Sequence, residues 1–145
     1  MPQLVIISGL PGSGKSTKAS KEYPHHYHLE ADAFMMINGE YKFDPKRLNY
    51  AHKKCQNECF NALDCGRDVV VSNTNLAEWE FVPYLEIAES LNIENVHIIR
   101  LHTQYGNIHG VTPEKLEMMR KRMIPLKDMD FINYDYITFE EIVEC

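Results

Sequence analysis

The chain has 145 residues, a formal net charge of −6, 44% hydrophobic and 25% charged residues. Those proportions describe one compact globular domain, residues 1–145, and exclude a disordered, fibrous or broadly basic duplex-binding protein. Leu4–Ile7 is apolar but far too short to span a bilayer, and Met-Pro-Gln lacks the basic start of a secretory leader, so a cytoplasmic location is expected and no membrane partner.

Taken in order, short apolar runs alternate with longer amphipathic stretches, the pattern of an α/β domain with a mainly parallel sheet. A first strand is expected over Leu4–Ser8, then a glycine loop, then a helix from Lys15 to about Lys21. Tyr27–Leu29 reads as a second strand. Asn38–Phe43 is polar, with Gly39 as its turn residue. Asp44-Pro45 is a helix entry, Asp as N-cap and Pro at the first helical position. Leu48, Ala51, Cys55, Cys59 and Ala62 then recur at helical spacing up to Gly66, one face that must pack on the sheet. Cys55 and Cys59 read as buried free thiols rather than zinc ligands, because no CxxC pair or suitably spaced histidine pair accompanies them.

Asp68–Ser72 holds Val69, Val70 and Val71, the β-branched run of a buried central strand. A helix follows over Glu80–Leu91, in which Pro83 is tolerable only within the first turn. Asn95–Leu101 reads as a further strand. Thr112-Pro113 opens a helix that runs to about Met123, and Tyr134–Phe139 reads as a short last strand.

Gly9-Leu10-Pro11-Gly12-Ser13-Gly14-Lys15-Ser16 fits GxxxxGK[ST] between a strand and a helix. Its glycines let the backbone approach phosphate oxygens, and the helix start adds partial positive charge. Gly9, Pro11, Gly12, Ser13, Gly14, Lys15, Ser16 and Thr17 are therefore the expected ATP cradle. Lys15 would reach the β- and γ-phosphates and the Ser16 hydroxyl would ligate Mg²⁺.

Other functional groups should lie at the carboxyl ends of the remaining strands. Asp32, just past the second strand, could take the proton of an attacking hydroxyl and hold a Mg²⁺-bound water, or simply cap a helix. Glu30 is a weaker substitute. Asn73 and Asn75 end the valine strand, where Asp often anchors Mg²⁺, and could contact substrate; Asn75 equally suits an Asx-turn. Residues 103–123 suggest a helical lid with Gly106 and Gly110 as hinges and Lys115, Arg120, Lys121 and Arg122 as cations. His109 could bind phosphate when protonated. His25, His26 and His28 have no nearby carboxylate pair at metal-binding spacing.

The ordered set Gly-Leu-Pro-Gly-Ser-Gly-Lys-Ser, Glu-Ala-Asp-Ala-Phe, Asn-Thr-Asn-Leu and Asn-Ile-His-Gly-Val resembles the kinase domain of phage polynucleotide kinases and related animal ubiquitin-ligase-binding proteins. The animal branch is the nearer, through Tyr41-Lys42-Phe43-Asp44-Pro45, Ala51-His52 and Asn73–Trp79. The resemblance, from about Leu4 to Met123, implies a three-layer P-loop kinase fold with a helical lid. It also implies transfer of the ATP γ-phosphate to the 5′-hydroxyl of single-stranded RNA or DNA. Lys15 and Ser16 match the ATP and metal positions and Asp32 the general base. Asn73 stands where the phage enzymes carry Asp near the acceptor.

Two departures bear on rate and acceptor. Met35 occupies the place of an acceptor-phosphate arginine, and His109 that of the lid arginine. Tyr105 and Gly106 stand where the animal branch has arginines, leaving lid cation duty to Arg120, Lys115 or His109. A small-molecule kinase and a nucleotide- or RNA-end-binding adaptor remain alternatives to the polynucleotide 5′-hydroxyl kinase.

Overall fold

A computed structural model describes residues 2–37, 40–41, 45–104 and 112–143, with backbone only for 35–37, 40–41 and 45–46. The expectations attached to Gly39, Asp44, Tyr105, Gly106, His109, Gly110 and the Met35 side chain lie outside the described set.

Strands β1 (Gln3–Gly9), β2 (Tyr27–Leu29), β5 (Val69–Asn73), β6 (Asn95–Leu101) and β7 (Ile137–Ile142) form one sheet in the order β2-β5-β1-β6-β7. Every pairing in it is parallel. Two-residue strands β3 (Met36–Ile37) and β4 (Glu40–Tyr41) pair antiparallel beside it. Helices α1 (Lys15–Glu22), α2 (Pro45–Asp64), α3 (Glu78–Ser90) and α4 (Pro113–Arg122) fill the connections. A 3-10 helix, Ala31–Met35, follows β2.

The sheet alternation divides the core. Leu4, Ile6, Val69, Val71, Val96 and Ile98 face α2 and α3, where Cys55, Cys59, Phe81, Tyr84 and Leu85 are buried with them. Val5, Ile7, Val70, Ile99 and Leu101 face the other way, onto Ala19 of α1. Helices on both faces of a parallel sheet explain why β1 and β5 read as continuous apolar runs rather than alternating ones. The three-layer architecture is as expected from the sequence.

Four local expectations need correction. Leu48 is 38% exposed: the first turn of α2 stands off the core, and Leu63 completes the buried face instead. Helix α3 begins at Glu78, so Pro83 sits in its second turn. The carbonyl it leaves without a helical partner belongs to Trp79, a residue that is 70% exposed. The last strand starts at Ile137, three residues later than expected, because Tyr134 accepts a turn hydrogen bond from Ile137 N. Asp32 lies inside the first turn of the 3-10 helix, after Ala31, rather than ahead of it. The Thr112-Pro113 entry to α4 holds, Thr112 Oγ1 accepting from Lys115 N at 3.2 Å.

Arg100 in β6 has no exposed surface. Its Nε donates to Ser8 Oγ (2.9 Å), and its guanidinium nitrogens to Ile124 O (3.0 Å) and Asn75 O (3.2 Å). It thus joins β1, the turn after β5 and the chain leaving α4, where Ile124 N also donates to Leu76 O at 2.9 Å. Arg100→Met is expected to strand buried carbonyls and destabilise the fold by ~2–4 kcal/mol in urea denaturation. Amide exchange at Ile124 should accelerate more than at Ile6.

Candidate active site

The glycine loop runs from the carboxyl end of β1 into α1, and its backbone is held from outside. Gly9 N donates to Thr74 O at 3.1 Å. Thr103 Oγ1 donates to Ser13 O (2.7 Å) and Gln104 Nε2 to Pro11 O (3.1 Å). With those carbonyls engaged, Lys15, Ser16 and Thr17 start α1 with N–H groups that have no intrahelical acceptor, a cradle for anionic oxygens.

Glycine is required for two reasons. Gly12 and Gly14 adopt φ of 83° and 93°, left-handed values costly for residues with a Cβ. At Gly9 a Cβ would lie 2.4 Å from Ser13 Oγ. That hydroxyl is buried and has no partner among the described residues, as is true of Asn75 Nδ2.

Lys15 Nζ folds over the loop and donates to Gly9 O and Leu10 O, each at 3.0 Å. An ammonium has three N–H donors, so one remains. Burial brings Lys15 down from 10.5 to about 8, against the opposing pull of the Asp32 and Glu30 carboxylates. Asp32 is thus near enough to act on Lys15 through space, while its own residue is exposed.

Glu30 meets the start of α1. Its carboxylate accepts from the Ser16 hydroxyl, and from Ser72 Oγ at 3.0 Å. His28 Nε2 lies 3.3 Å from it and 2.6 Å from Ser72 Oγ. Burial pushes the Glu30 carboxyl up, but the hydrogen bonds from His28, Ser16 and Ser72 prevail and hold it at about 2. Ser16, Glu30 and the neighbouring Asp32 are all hard oxygen donors. Mg²⁺ is usually held by one or two carboxylates together with substrate phosphates, and this set fits it.

Asn73 is placed differently from the expectation that it meets substrate. Its Oδ1 accepts from Ala31 N at 2.8 Å, and its Nδ2 donates to Tyr84 OH (3.3 Å) and contacts Cys55 Sγ (3.9 Å). The residue is 6% exposed. It fastens the start of the 3-10 helix that carries Asp32. Asn75 has φ of 43° and is buried, and its carbonyl serves Ser8 and Arg100. Cys55 and Cys59 are buried free thiols, as expected.

Arg120 lies on exposed α4, paired with Glu117 at 3.1 Å. It borders a cavity of about 310 Å³ together with Leu10, Leu101, Thr103, Gln104 and Met123. Structure therefore brings Arg120 to the flank of the glycine loop. Thr103 and Gln104, the first residues of the expected lid segment, brace the loop as polar residues directly after a strand's carboxyl end.

A parallel sheet with the glycine loop at its first strand, Lys15 over that loop and carboxylates at the next strand end defines a P-loop kinase-fold domain. A family profile described as an AAA domain matches residues 4–105. The chain belongs to that family of P-loop domains.

Human NEDD4-binding protein 2 is 35% identical over 129 residues, covering 80% of this chain but 7% of that protein. An Acanthamoeba polyphaga mimivirus protein, named as a candidate bifunctional polynucleotide phosphatase/kinase, is 24% identical over 153 residues, covering 94% of this chain and 33% of its own. The chain thus spans only a small part of either. Among solved structures, a Janibacter sp. HTCC2649 sugar kinase superposes with TM-score 0.68 at 14% identity, covering 100% of this chain and 88% of its own. A chain of the Pnkp1/Rnl/Hen1 complex gives 0.59 at 20% identity, covering 81% of this chain and 38% of its own.

Two outcomes follow from these contacts. The folded protein bears the cost of a buried Lys15 charge below about pH 8 and is relieved of it as pH climbs toward 10.5, where the unfolded chain is still protonated. Lys15→Met should therefore raise the Tm of nucleotide-free protein at pH 7, an advantage that shrinks between pH 8 and 10.5. Thermal melts across that range check it. Asn73→Ala should cost ~1–3 kcal/mol in denaturant melts, because Ala31 N and the Tyr84 hydroxyl lose a buried partner.

Proposed function

We propose that the chain is an ATP-dependent polynucleotide 5′-hydroxyl kinase acting on single-stranded RNA or DNA ends. The observation that carries the proposal is the grouping, at one sheet edge, of the glycine loop, Lys15 and Asp32. Its support for a nucleic-acid acceptor comes from the ordered motif set and the viral relative's name.

In this reading the loop amides from Gly12 to Thr17 bind the ATP phosphates, and the remaining Lys15 N–H donates to the β- and γ-oxygens. Charge from these phosphates returns Lys15 toward its ordinary basicity. The cavity beside Leu10, Thr103, Gln104 and Arg120 takes the nucleobase. Asp32 accepts the proton as the acceptor's 5′-oxygen bonds to the γ-phosphorus. The bond from that phosphorus to the β–γ bridging oxygen breaks, and ADP leaves. Ser16 and a nearby carboxylate would hold Mg²⁺, which supplies charge neutralisation on the phosphates. Arg120, on α4, supplies a cation beside that cavity.

A second reading keeps the chemistry and changes the acceptor to a nucleoside or sugar. It is favoured by the net charge of −6 and by Met35 in place of an arginine.

The test is γ-phosphate transfer from labelled ATP to a 5′-hydroxyl RNA oligomer, the matching DNA and a free nucleoside. Label is expected on an oligomer end. Asp32→Asn should lower kcat by ~10²–10⁴ with ATP binding retained, whereas Lys15→Ala should lose both. Full activity of Asp32→Asn on oligomer ends would refute the reading. Label on the nucleoside alone would move it to the second.

A further inference from the structure

The expected Mg²⁺-anchoring carboxylate at the end of the valine strand is missing, for Asn73 stands there with its amide spent inside the protein. In this chain, strand alternation turns Asn73 and Ser16 to different faces of the sheet. Asn73 follows Val69 and Val71 onto the α2–α3 face, whereas Ser16 opens α1, on the opposite face with Val70 and Ser72. A carboxylate that meets Ser16 must come from that second face.

Glu30 is that carboxylate. His28 lies in register with Val70, and Glu30, two residues on, returns to the same side. It accepts from the Ser16 hydroxyl while Ser72 Oγ, from β5 itself, holds it at 3.0 Å and His28 Nε2 stands 3.3 Å away. The carboxylate is therefore aimed before any ligand arrives.

We propose that Glu30 is the residue that positions Mg²⁺ beside Ser16, a duty transferred from the end of β5 to the end of β2, leaving Asp32 to proton transfer alone. The proposal rests on the P-loop kinase reading but not on the identity of the acceptor. Ser72 and His28 are its positioning partners, and Ser16 exchanges its hydrogen bond to Glu30 for the cation when nucleotide binds.

The test measures ADP and non-hydrolysable ATP affinity by calorimetry, in Mg²⁺ and in EDTA, on the full chain and its variants. Mn²⁺ bound per ADP, read by electron paramagnetic resonance, gives a direct second readout. Wild type should bind nucleotide more tightly with Mg²⁺. Glu30→Gln, which keeps the size and a hydrogen-bond acceptor, should lose that gain and weaken Mn²⁺ binding by ~10–100-fold while its EDTA affinity is kept. Asp32→Asn should keep the gain. Ser72→Ala, a milder change that leaves the carboxylate but frees it, should give a partial loss. Circular dichroism and melts establish that each variant is folded, and the Ser72→Ala result decides the matter should Glu30→Gln be unstable.

A Glu30→Gln protein with wild-type Mg²⁺ dependence would overturn the proposal. So would a Mg²⁺ gain lost in Asp32→Asn but kept in Glu30→Gln, or a wild type indifferent to Mg²⁺. None of these readouts needs an acceptor, so a chain that phosphorylates something other than a nucleic-acid end still returns an answer.

Discussion

A fully buried guanidinium holds the carboxyl edge of this sheet together. Arg100 meets Ser8 of β1, the carbonyl of Asn75 and the carbonyl of Ile124, and through them binds three stretches far apart in sequence. Its charge is spread over carbonyl and hydroxyl dipoles, and burial lowers its basicity against the opposing pull of the Glu141 and Glu80 carboxylates. The same edge fixes the glycine loop, because Gly9 N donates to Thr74 O one residue before Asn75. Disturbing the guanidinium would thus be felt both by the loop and by the chain that leaves α4.

Around that node, sheet alternation sorts polar residues into two rows. On the α2–α3 face stand Ser8, Asn73 and Arg100, all with their polar groups directed into the protein. On the α1 face stand His28, Glu30 and Ser72, whose hydrogen bonds lead to Ser16. The first row is structural and sets where the 3-10 helix begins. The second is electrostatic and lies at the helix start that would hold phosphate. Adjacent residues Ser72 and Asn73 therefore do unrelated work, a direct result of the period of two in a strand.

Lys15 shows how the site trades stability for readiness. Its ammonium is bonded to the loop carbonyls and flanked by acidic residues, yet remains less basic than an exposed lysine because burial dominates. A polyphosphate supplies the missing counter-charge. Such a residue destabilises the free protein and strengthens the bound one, the balance expected where binding energy is directed at transferring charge.

The sequence by itself determined the parallel α/β sandwich, the position of the loop from Gly9 to Ser16 between β1 and α1, the thiols at Cys55 and Cys59, and the place of Asp32 after β2. These are encoded locally, by runs of β-branched residues, helical spacing, caps and a contiguous motif. Only the tertiary structure decided that Asn73 is internal, that Glu30 meets Ser16, that Arg100 joins three segments, and that Thr103 and Gln104 brace the loop. Each of those depends on which face of the sheet a side chain takes and which strand lies beside it. Pairings such as Ser8 with Arg100, 92 residues apart, leave no periodic trace in the chain.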